Sequence, residues 1–381
     1  MKNIILCLLF QIITCFPHEQ GVCIVPVADL AGAPLTDPDL YQSLPMNGDS
    51  EIVKRIGQLL FNETASIIKE SDEEVCIQVP HHFYCTNSDK TPQNTFWTLK
   101  KNLRLLKEVP DITGIPTPIS YKKNLFDNKN SITLKKPFFD KLNKRLYSAG
   151  TRFKLIAKND TRDSYNVFSL SKNLLINSIE IPCNKCLKPN NYSPNQKIKL
   201  FVKRLRKLAQ KQIPYVLGGV SYVESYPSHF YEKKTDSIRF FIAKKNPSLP
   251  YSGFDCASLI YRVAQMVGLP FYMRNSSAMY NYLRPLKQNE SLENGDIIFI
   301  PGHIIALVDI ENNRIVEART QSHGYGFVHE IDLSLLFKEI DDIQDLIKFH
   351  FSKEKASRLD RNGTVIGHKP ITILKLRSIF E

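Results

Sequence analysis

A cysteine, a histidine and a carboxylate in this sequence could together form a hydrolytic site. Cys256 follows Gly-Phe-Asp at 253–255, and apolar residues recur after it at helical spacing, which predicts an amphipathic helix that begins at the cysteine. The unpaired N–H groups and positive end of a helix favour a thiolate over a thiol. We therefore expect Cys256 to have a depressed pKa and to be nucleophilic near neutral pH.

His303 is the candidate base for this nucleophile. It follows the apolar run 295–300 and a Pro-Gly break, and it opens a second predicted strand, 304–308. A turn and a returning strand over 314–318 would bring Glu317 close to the imidazole, because side chains on one face of paired strands are neighbours even on the diagonal. A nucleophile, a base and an orienting acceptor in this arrangement indicate a cysteine hydrolase.

Each of these residues also has an ordinary structural interpretation. A single cysteine at a helix start is more often structural, and a single histidine near a strand is usually part of the polar surface. Their joint occurrence favours catalysis. For the third member, Gln321 or His323 could replace Glu317 if the hairpin register is shifted, since a slip of one residue exchanges the two faces. We predict no metal site and no cofactor, because four other histidines lack ligand spacing, namely His229, His329, His350 and His368.

Several separated motifs occur in the order seen in NlpC-type cell-wall cysteine peptidases, which the sequence resembles from about Pro194 onward. These motifs are Tyr215-Val-Leu-Gly-Gly219, Gly253-Phe-Asp-Cys256, Gly295-Asp-Ile-Ile-Phe299, His303 and Ile315-Val-Glu-Ala318. The resemblance implies an α+β fold with a papain-like catalytic domain over 195–381.

The resemblance also implies a role for each site residue. Cys256 looks like the nucleophile and His303 like the general base, while Glu317 stands where members of the family carry a His, Asn, Gln or Glu. Tyr215 is similar to a tyrosine whose hydroxyl lies near the oxyanion. Asp255 is similar to an aspartate that receives the free amino group of a short peptide in relatives that trim murein peptides.

The implied substrate is a murein stem peptide, cut between γ-D-glutamate and the diamino acid, in peptidoglycan or in free muropeptides. Two departures from the family pattern affect substrate choice. Ala257 and Ser258 follow the cysteine where Ser and Gly are usual, which removes a hydroxyl contact to substrate. A longer insertion at 220–252 contains lysine pairs and could roof or reshape the cleft.

The region before the catalytic domain reads as all-β. Short strands with turns between them over 22–107 predict a small barrel or sandwich. Its Val-Pro-Val-Ala-Asp-Leu opening and the element at 57–63 resemble bacterial SH3-like domains. A second SH3-like unit is predicted over 110–182, and a Pro, Asn and Lys-rich linker over 183–194.

Residues 1–16 read as a signal peptide, because a lysine is followed by an apolar run too short to span a bilayer. We therefore expect an exported protein of the periplasm or cell envelope. An imperfect lipoprotein site at Cys15 offers the one expected route to a membrane. The net charge of +13 favours acidic envelope polymers as partners, and nucleic acid is not expected.

Five cysteines remain when Cys256 and the two of the signal peptide are set aside, so at least one has no partner within the chain. Cys76 could bridge to Cys85, or Cys23 could take either one. Cys183 and Cys186 form a lone Cys-x-x-Cys. A local disulfide or two plain thiols is favoured there, because no further zinc ligands lie nearby and Pro189 disfavours the helix of a redox motif.

Two other functions share these features. A non-catalytic wall-binding protein would keep the fold without the chemistry, and the change to Ala257 makes this conceivable. An acyltransferase or amidase acting on lipid or protein would use the same cysteine and histidine.

Overall fold

The computed structural model describes residues 19–34, 52–85, 91–117, 119, 130–171, 173–187, 192–223, 241–243, 252–320 and 322–381. The predicted signal peptide, Gln321 and most of the 220–252 insertion lie outside the described residues. Three sheet-rich regions follow one another along the described chain. No helix within these ranges is long and apolar enough to cross a bilayer.

The N-terminal region is an antiparallel sheet of short strands. Its strands are β1 (Gln20–Cys23), β2 (Val27–Ala31), β3 (Ile52–Leu60), β4 (Thr64–Glu70), β5 (Glu74–Gln78), β6 (Thr95–Leu99) and β7 (Leu103–Leu105). They pair in the order β3-β2-β6-β5-β4-β1-β7. Short strands separated by turns are confirmed, but the described pairings leave an open sheet and not a closed barrel.

The second region is a smaller sheet with a flanking hairpin. Its strands are β8 (Ser131–Leu134), β9 (Phe138–Asp140), β10 (Arg145–Tyr147), β11 (Arg152–Asn159), β12 (Ser164–Leu170), β13 (Ile176–Pro182) and β14 (Cys186–Leu187). The sheet order is β13-β12-β11-β8-β14, and β9 pairs with β10. Because β14 pairs with β8, part of the predicted 183–194 linker belongs to this sheet.

The described cysteines are free thiols. Cys23, Cys76, Cys85, Cys183, Cys186 and Cys256 form no disulfide with one another. The bridges that spacing allowed between Cys76 and Cys85, and between Cys183 and Cys186, are therefore absent from the described part of the chain.

The third region contains the helices of the described chain. These are α1 (Pro194–Ala209), α2 (Cys256–Met266), α3 (Ser276–Tyr282) and α4 (Ile343–Ser352). Its strands are β15 (Val220–Ser221), β16 (Phe241–Ala243), β17 (Gly253–Phe254), β18 (Ile297–Ile300), β19 (His303–Asp309), β20 (Arg314–Ala318), β21 (Val328–Asp332), β22 (Lys355–Leu359), β23 (Val365–Pro370) and β24 (Thr372–Leu374). The main sheet has the order β21-β20-β19-β18-β24, while β15 pairs with β17 and β22 with β23.

Alternation along the central strand β19 explains why helices cover both faces of this sheet. Ile304 and Ala306 belong to the core that holds α1 and α2, whereas Ile305 and Leu307 belong to the core that holds α4. Successive side chains of a strand point to opposite faces, so a continuous apolar run must be covered on both. The predicted hairpin of β19 and β20 is confirmed.

The N-terminal sheet is joined to the third region at several places, which include strand β16 and helix α2. Strand β16, from the insertion, pairs antiparallel with β3 and extends the N-terminal sheet. In addition, Arg262 of α2 donates from Nη1 to Glu63 Oε1 at 2.5 Å, and both side chains are buried. The Arg262 Nε also donates to the Val220 carbonyl. The ion pair with Glu63 thus holds helix α2 against the N-terminal region.

We predict that replacing Arg262 with methionine destabilises the protein by about 3 to 5 kcal/mol, because it leaves the Glu63 carboxylate buried without its counter-ion. The free energy of unfolding is measured by denaturant titration. The double variant R262M/E63Q should recover part of the loss, since it removes both charges. Lys100 to alanine breaks an exposed pair with Glu70 and is the matched control, with an unchanged midpoint expected. An R262M midpoint equal to that of wild type would contradict a structural role for the buried pair.

Candidate active site

Cys256 is the first residue of α2, as the sequence predicts. The helix is capped by Asp255, whose Oδ1 accepts from the Ser258 N–H at 2.7 Å, while Ser258 Oγ accepts from the Asp255 N–H at 2.8 Å. This reciprocal pair is a capping box. Ser258, which stands where a glycine is usual after the cysteine, therefore caps the start of the helix.

The carboxylate of Asp255 is buried and fully engaged. Besides Ser258, it accepts from the Gly218 N–H at 2.9 Å and from both terminal nitrogens of Arg274, at 3.1 and 2.7 Å. Gly218 has φ +74°, and a Cβ there would lie 2.4 Å from the Arg55 carbonyl oxygen, so only glycine fits this approach. A substrate amine could reach Asp255 only by displacing one of these donors.

His303 and Glu317 form a short, buried pair. His303 Nε2 lies 2.6 Å from Glu317 Oε2. In the antiparallel pair of β19 and β20, Ala306 lies opposite Val316. One step further along this register, Glu317 lies opposite Ile305 and therefore on the diagonal from His303. A carboxylate can only accept, so Nε2 carries the proton and Nδ1 presents its lone pair. Nδ1 is therefore the nitrogen that can serve as a base.

Helix α2 brings the thiol of Cys256 to the strand that carries His303. The backbone N–H of Ile304, which follows His303 directly, is close enough to the Cys256 sulfur to oppose the rise in the pKa of the thiol. Helix α2 packs on β19 in the same core. Nucleophile and base, which are 47 positions apart in the sequence, are thus brought to the same end of one strand.

Burial sets the protonation of both groups. It raises the pKa of the Cys256 thiol to about 12, assisted by the charge of Asp255 and opposed by the Ile304 N–H and by Arg358. The expected depression of this pKa is not met, because desolvation outweighs the helix terminus. Burial, together with the charge of Arg358, also lowers the pKa of His303 to about 4. At neutral pH the resting site therefore holds a thiol and a neutral imidazole.

Glu317 is surrounded by cationic or hydrogen-bonding groups that sequence reasoning missed. Its Oε1 lies 3.1 Å from His329 Nε2 and 3.4 Å from Arg319 Nη1, and its Oε2 lies 3.7 Å from Arg358 Nη2. Burial pushes the pKa of Glu317 upward, but the hydrogen bonds from His303 and His329 and the charge of Arg319 bring it well below its ordinary value. Glu317 is therefore ionised at any pH at which the protein would act.

The residues that could have replaced Glu317 are placed differently. His323 contributes its backbone carbonyl, which accepts from Arg319 Nη2, and Gln321 lies outside the described residues. His329 could have been found from strand pairing, because it stands directly opposite Glu317 on β21. Arg358 comes from β22, about forty positions later, and carries no local signal.

Tyr215 lies close to the nucleophile. Its backbone forms a parallel bridge with Phe254, two residues before Cys256. Burial raises the pKa of Tyr215 well above its ordinary value, and the negative charges of Cys256 and Asp255 act in the same direction. The hydroxyl is thus near enough to sense charge on the sulfur. Within the described ranges, no group of three or more His, Cys, Asp or Glu side chains is arranged to hold a metal ion.

No protein-family model and no curated protein matches this sequence significantly. Its architecture is similar to that of an NlpC/P60 family protein from Bacillus cereus ATCC 10987, with a TM-score of 0.51 at 14% identity, over 83% of this chain and 94% of that chain. A NlpC/P60 endopeptidase from Photobacterium damselae subsp. piscicida matches with a TM-score of 0.39 at 11% identity, over 93% of this chain and 66% of that one. The peptidoglycan hydrolase RipB from Mycobacterium tuberculosis matches with a TM-score of 0.27 at 18% identity, over 50% and 74%. The likeness to the Bacillus cereus protein shows that the chain has an NlpC/P60-like fold.

The raised pKa of Cys256 predicts how its alkylation depends on pH. Below the pKa of about 12 the thiolate fraction increases about tenfold for each pH unit. The rate of labelling by iodoacetamide should therefore rise continuously between pH 6 and 9. It is measured by mass spectrometry of the peptide that contains Cys256, with C256A as the blank. A plateau between pH 6 and 8 would indicate a preformed thiolate and would contradict this assignment.

Proposed function

We propose that this protein is an exported cysteine peptidase that hydrolyses murein stem peptides, at the bond between γ-D-glutamate and the diamino acid. The observation that carries the proposal is the buried His303–Glu317 pair, 2.6 Å apart, on the strand against which the helix that begins at Cys256 packs. The ordered motifs and the NlpC/P60-like fold support the same reaction class. The proposal includes the signal peptide at 1–16 and a wall-binding role for two SH3-like units over 22–107 and 110–182.

The chemistry follows from the neutral resting pair. As the Cys256 sulfur attacks the amide carbonyl, His303 Nδ1 takes the thiol proton, so that proton transfer accompanies the attack. We assign the Cys256 backbone N–H and the Tyr215 hydroxyl as the donors that stabilise the oxyanion that forms. His303 then gives its proton to the departing amine, which leaves an acyl group on sulfur. Water, deprotonated by His303, releases the acid and restores the thiol.

Glu317 stabilises the imidazolium that exists between the two proton transfers. It is buried, and it stays ionised because His329 and Arg319 share its Oε1. Its Oε2 remains directed at His303 Nε2. The neighbouring groups therefore fix both the charge and the direction of the carboxylate.

The hydrogen bonds that the Asp255 carboxylate already accepts affect whether the protein needs a substrate with a free amine. Its engagement by Arg274 and Gly218 means that recognition of a free amine at this residue needs a rearrangement. A protein that does not recognise a free amine would also release peptides from intact sacculi. Mass spectrometry of digests of sacculi and of free muropeptides distinguishes the two substrates.

The second candidate is a wall-binding protein without peptidase activity. One observation favours it, namely the absence of a hydroxyl at Ala257. An acyltransferase or amidase would use the same pair of residues. Incubation with labelled murein peptides, with both hydrolysis and transfer products followed, separates the three functions.

Cys256 to alanine should abolish release of peptide from peptidoglycan, because it removes the atom that becomes acylated. Released peptides are measured by liquid chromatography and mass spectrometry. Cys183 to alanine is the matched control, since it removes a free thiol of the second sheet region and should leave activity unchanged. Full activity in C256A would end the peptidase assignment.

Glu317 to alanine should lower turnover by up to about four orders of magnitude, the loss seen when the orienting carboxylate of a triad is replaced. The corresponding change at Gln321 should have little effect. Both variants are compared by kcat on a murein peptide after a check of thermal stability. The reverse ranking would transfer the orienting role to Gln321.

A further inference from the structure

Arg358 is a guanidinium at the active site that the proposed mechanism does not use. Its Nη2 lies 3.7 Å from Glu317 Oε2, the same oxygen that receives His303 Nε2. Its charge acts on Cys256, His303 and Tyr215 as well. Arg358 therefore stands within the electrostatic reach of the nucleophile, the base and the oxyanion donor.

The guanidinium is poorly satisfied where it lies. Arginine has five N–H donors, yet within the described ranges the Arg358 side chain makes no hydrogen bond, and its buried Nε has no partner. The contact with Glu317 is too long for a hydrogen bond. Burial of a guanidinium without hydrogen bonds costs free energy, and an anion that accepts these hydrogen bonds would offset that cost.

The guanidinium groups near Glu317 differ in their acidic partners. Asp255 is neutralised by Arg274, and the carboxylate of Glu317 faces both Arg319 and Arg358. Arg319 also interacts with the carboxylate of Asp360, whereas in the part of the chain that the structure describes the carboxylate paired with Arg358 is that of Glu317, 3.7 Å away. Of the groups at Glu317, Arg358 is the most exposed, with 15% of its side chain accessible against 3% for Arg319 and none for Glu317. The guanidinium with the long acidic contact is thus also the one that a ligand can reach.

The backbone around Arg358 holds it in this place. Strand β22 bridges to Phe337, and the Leu359 N–H donates to the Leu336 carbonyl at 2.9 Å. On the other side, Arg319 Nη2 donates to the Leu359 carbonyl at 2.8 Å. The hairpin of β22 and β23 is therefore anchored next to Glu317, and Arg358 is presented at a fixed position.

We propose that Arg358 is a specificity-determining residue that binds a carboxylate of the substrate next to the scissile amide. This inference rests on the proposed function and makes it more specific. An amide formed by the side-chain carboxyl of glutamate leaves the main-chain carboxyl of that residue free, so a γ-glutamyl peptide places an anion near the bond that is cut. The amidated counterpart, with isoglutamine, is neutral at the same position. The protein should therefore prefer peptides with D-glutamate over peptides with D-isoglutamine.

The test compares two synthetic peptides, L-Ala-γ-D-Glu-L-Lys and the same peptide with D-isoglutamine, on the full chain. Wild type should cleave the glutamate peptide with a kcat/KM at least about tenfold higher, since one charge-assisted contact supports discrimination of about 10- to 100-fold. R358Q should reduce the ratio to below about threefold, mainly by loss on the glutamate peptide, and R358K should restore part of it. R361Q removes a charge from the exposed turn of the same hairpin and should keep the wild-type ratio.

A second measurement does not depend on the identity of the substrate. Iodoacetate carries a carboxylate and iodoacetamide does not, so the ratio of their rates with Cys256 reports an anion-binding group beside the sulfur. The rate with iodoacetate divided by the rate with iodoacetamide should fall at least about fivefold in R358Q, because one charge-assisted contact is removed. The same ratio should stay constant in R361Q.

The two measurements separate the possible failures. If neither peptide is cleaved but the alkylation ratio falls in R358Q, the proposed peptidase function is wrong while the anion-binding role of Arg358 stands. Equal cleavage of both peptides by wild type, or discrimination that survives in R358Q, overturns the proposal. An alkylation ratio that is unchanged in a folded R358Q variant overturns it as well.

Discussion

The buried carboxylate of Glu317 is the group on which the rest of the site depends. One charged side chain on β20, without solvent exposure, faces two imidazoles and two guanidinium groups. Three of these groups come from β19, β21 and β22, and Arg319 follows the end of β20. A buried charge is tolerated only when it is paired and hydrogen-bonded. The pairing of four strands is therefore coupled to the orientation of the His303 imidazole. Glu317 holds the ring so that Nε2 faces the carboxylate and Nδ1 is free to act as the base.

The same coupling explains the resting state of Cys256. Packing around the sulfur of Cys256, a partly exposed residue, reduces its contact with water, and this desolvation exceeds the effect of the helix terminus on the pKa. The neutral pair is not an obstacle to catalysis, because His303 with a pKa of about 4 is unprotonated and ready to accept a proton at neutral pH. Positive charge from Arg358 partly offsets the desolvation of the sulfur.

Local patterns explain which parts of the fold could be predicted. The start of α2 at Cys256 depends on Asp255 and Ser258, which are three positions apart in the sequence, and the hairpin that carries His303 and Glu317 needs only strand alternation and a turn. Long-range pairing explains the rest. The partners His329 and Arg358 are contributed by other strands, and the pKa of Cys256 depends on packing that no local window contains. The open N-terminal sheet and the addition of β16 to it likewise depend on pairing between distant segments.

The central claim is that Cys256 becomes acylated during turnover. Rapid acid quench of the protein with L-Ala-γ-D-Glu-L-Lys, followed by mass spectrometry of the intact and digested protein, tests it most directly. The account predicts a transient mass increase that corresponds to the L-Ala-γ-D-Glu acyl group, located on the peptide that contains Cys256. Cleavage of the substrate without this adduct, or with the adduct on another residue, would contradict it.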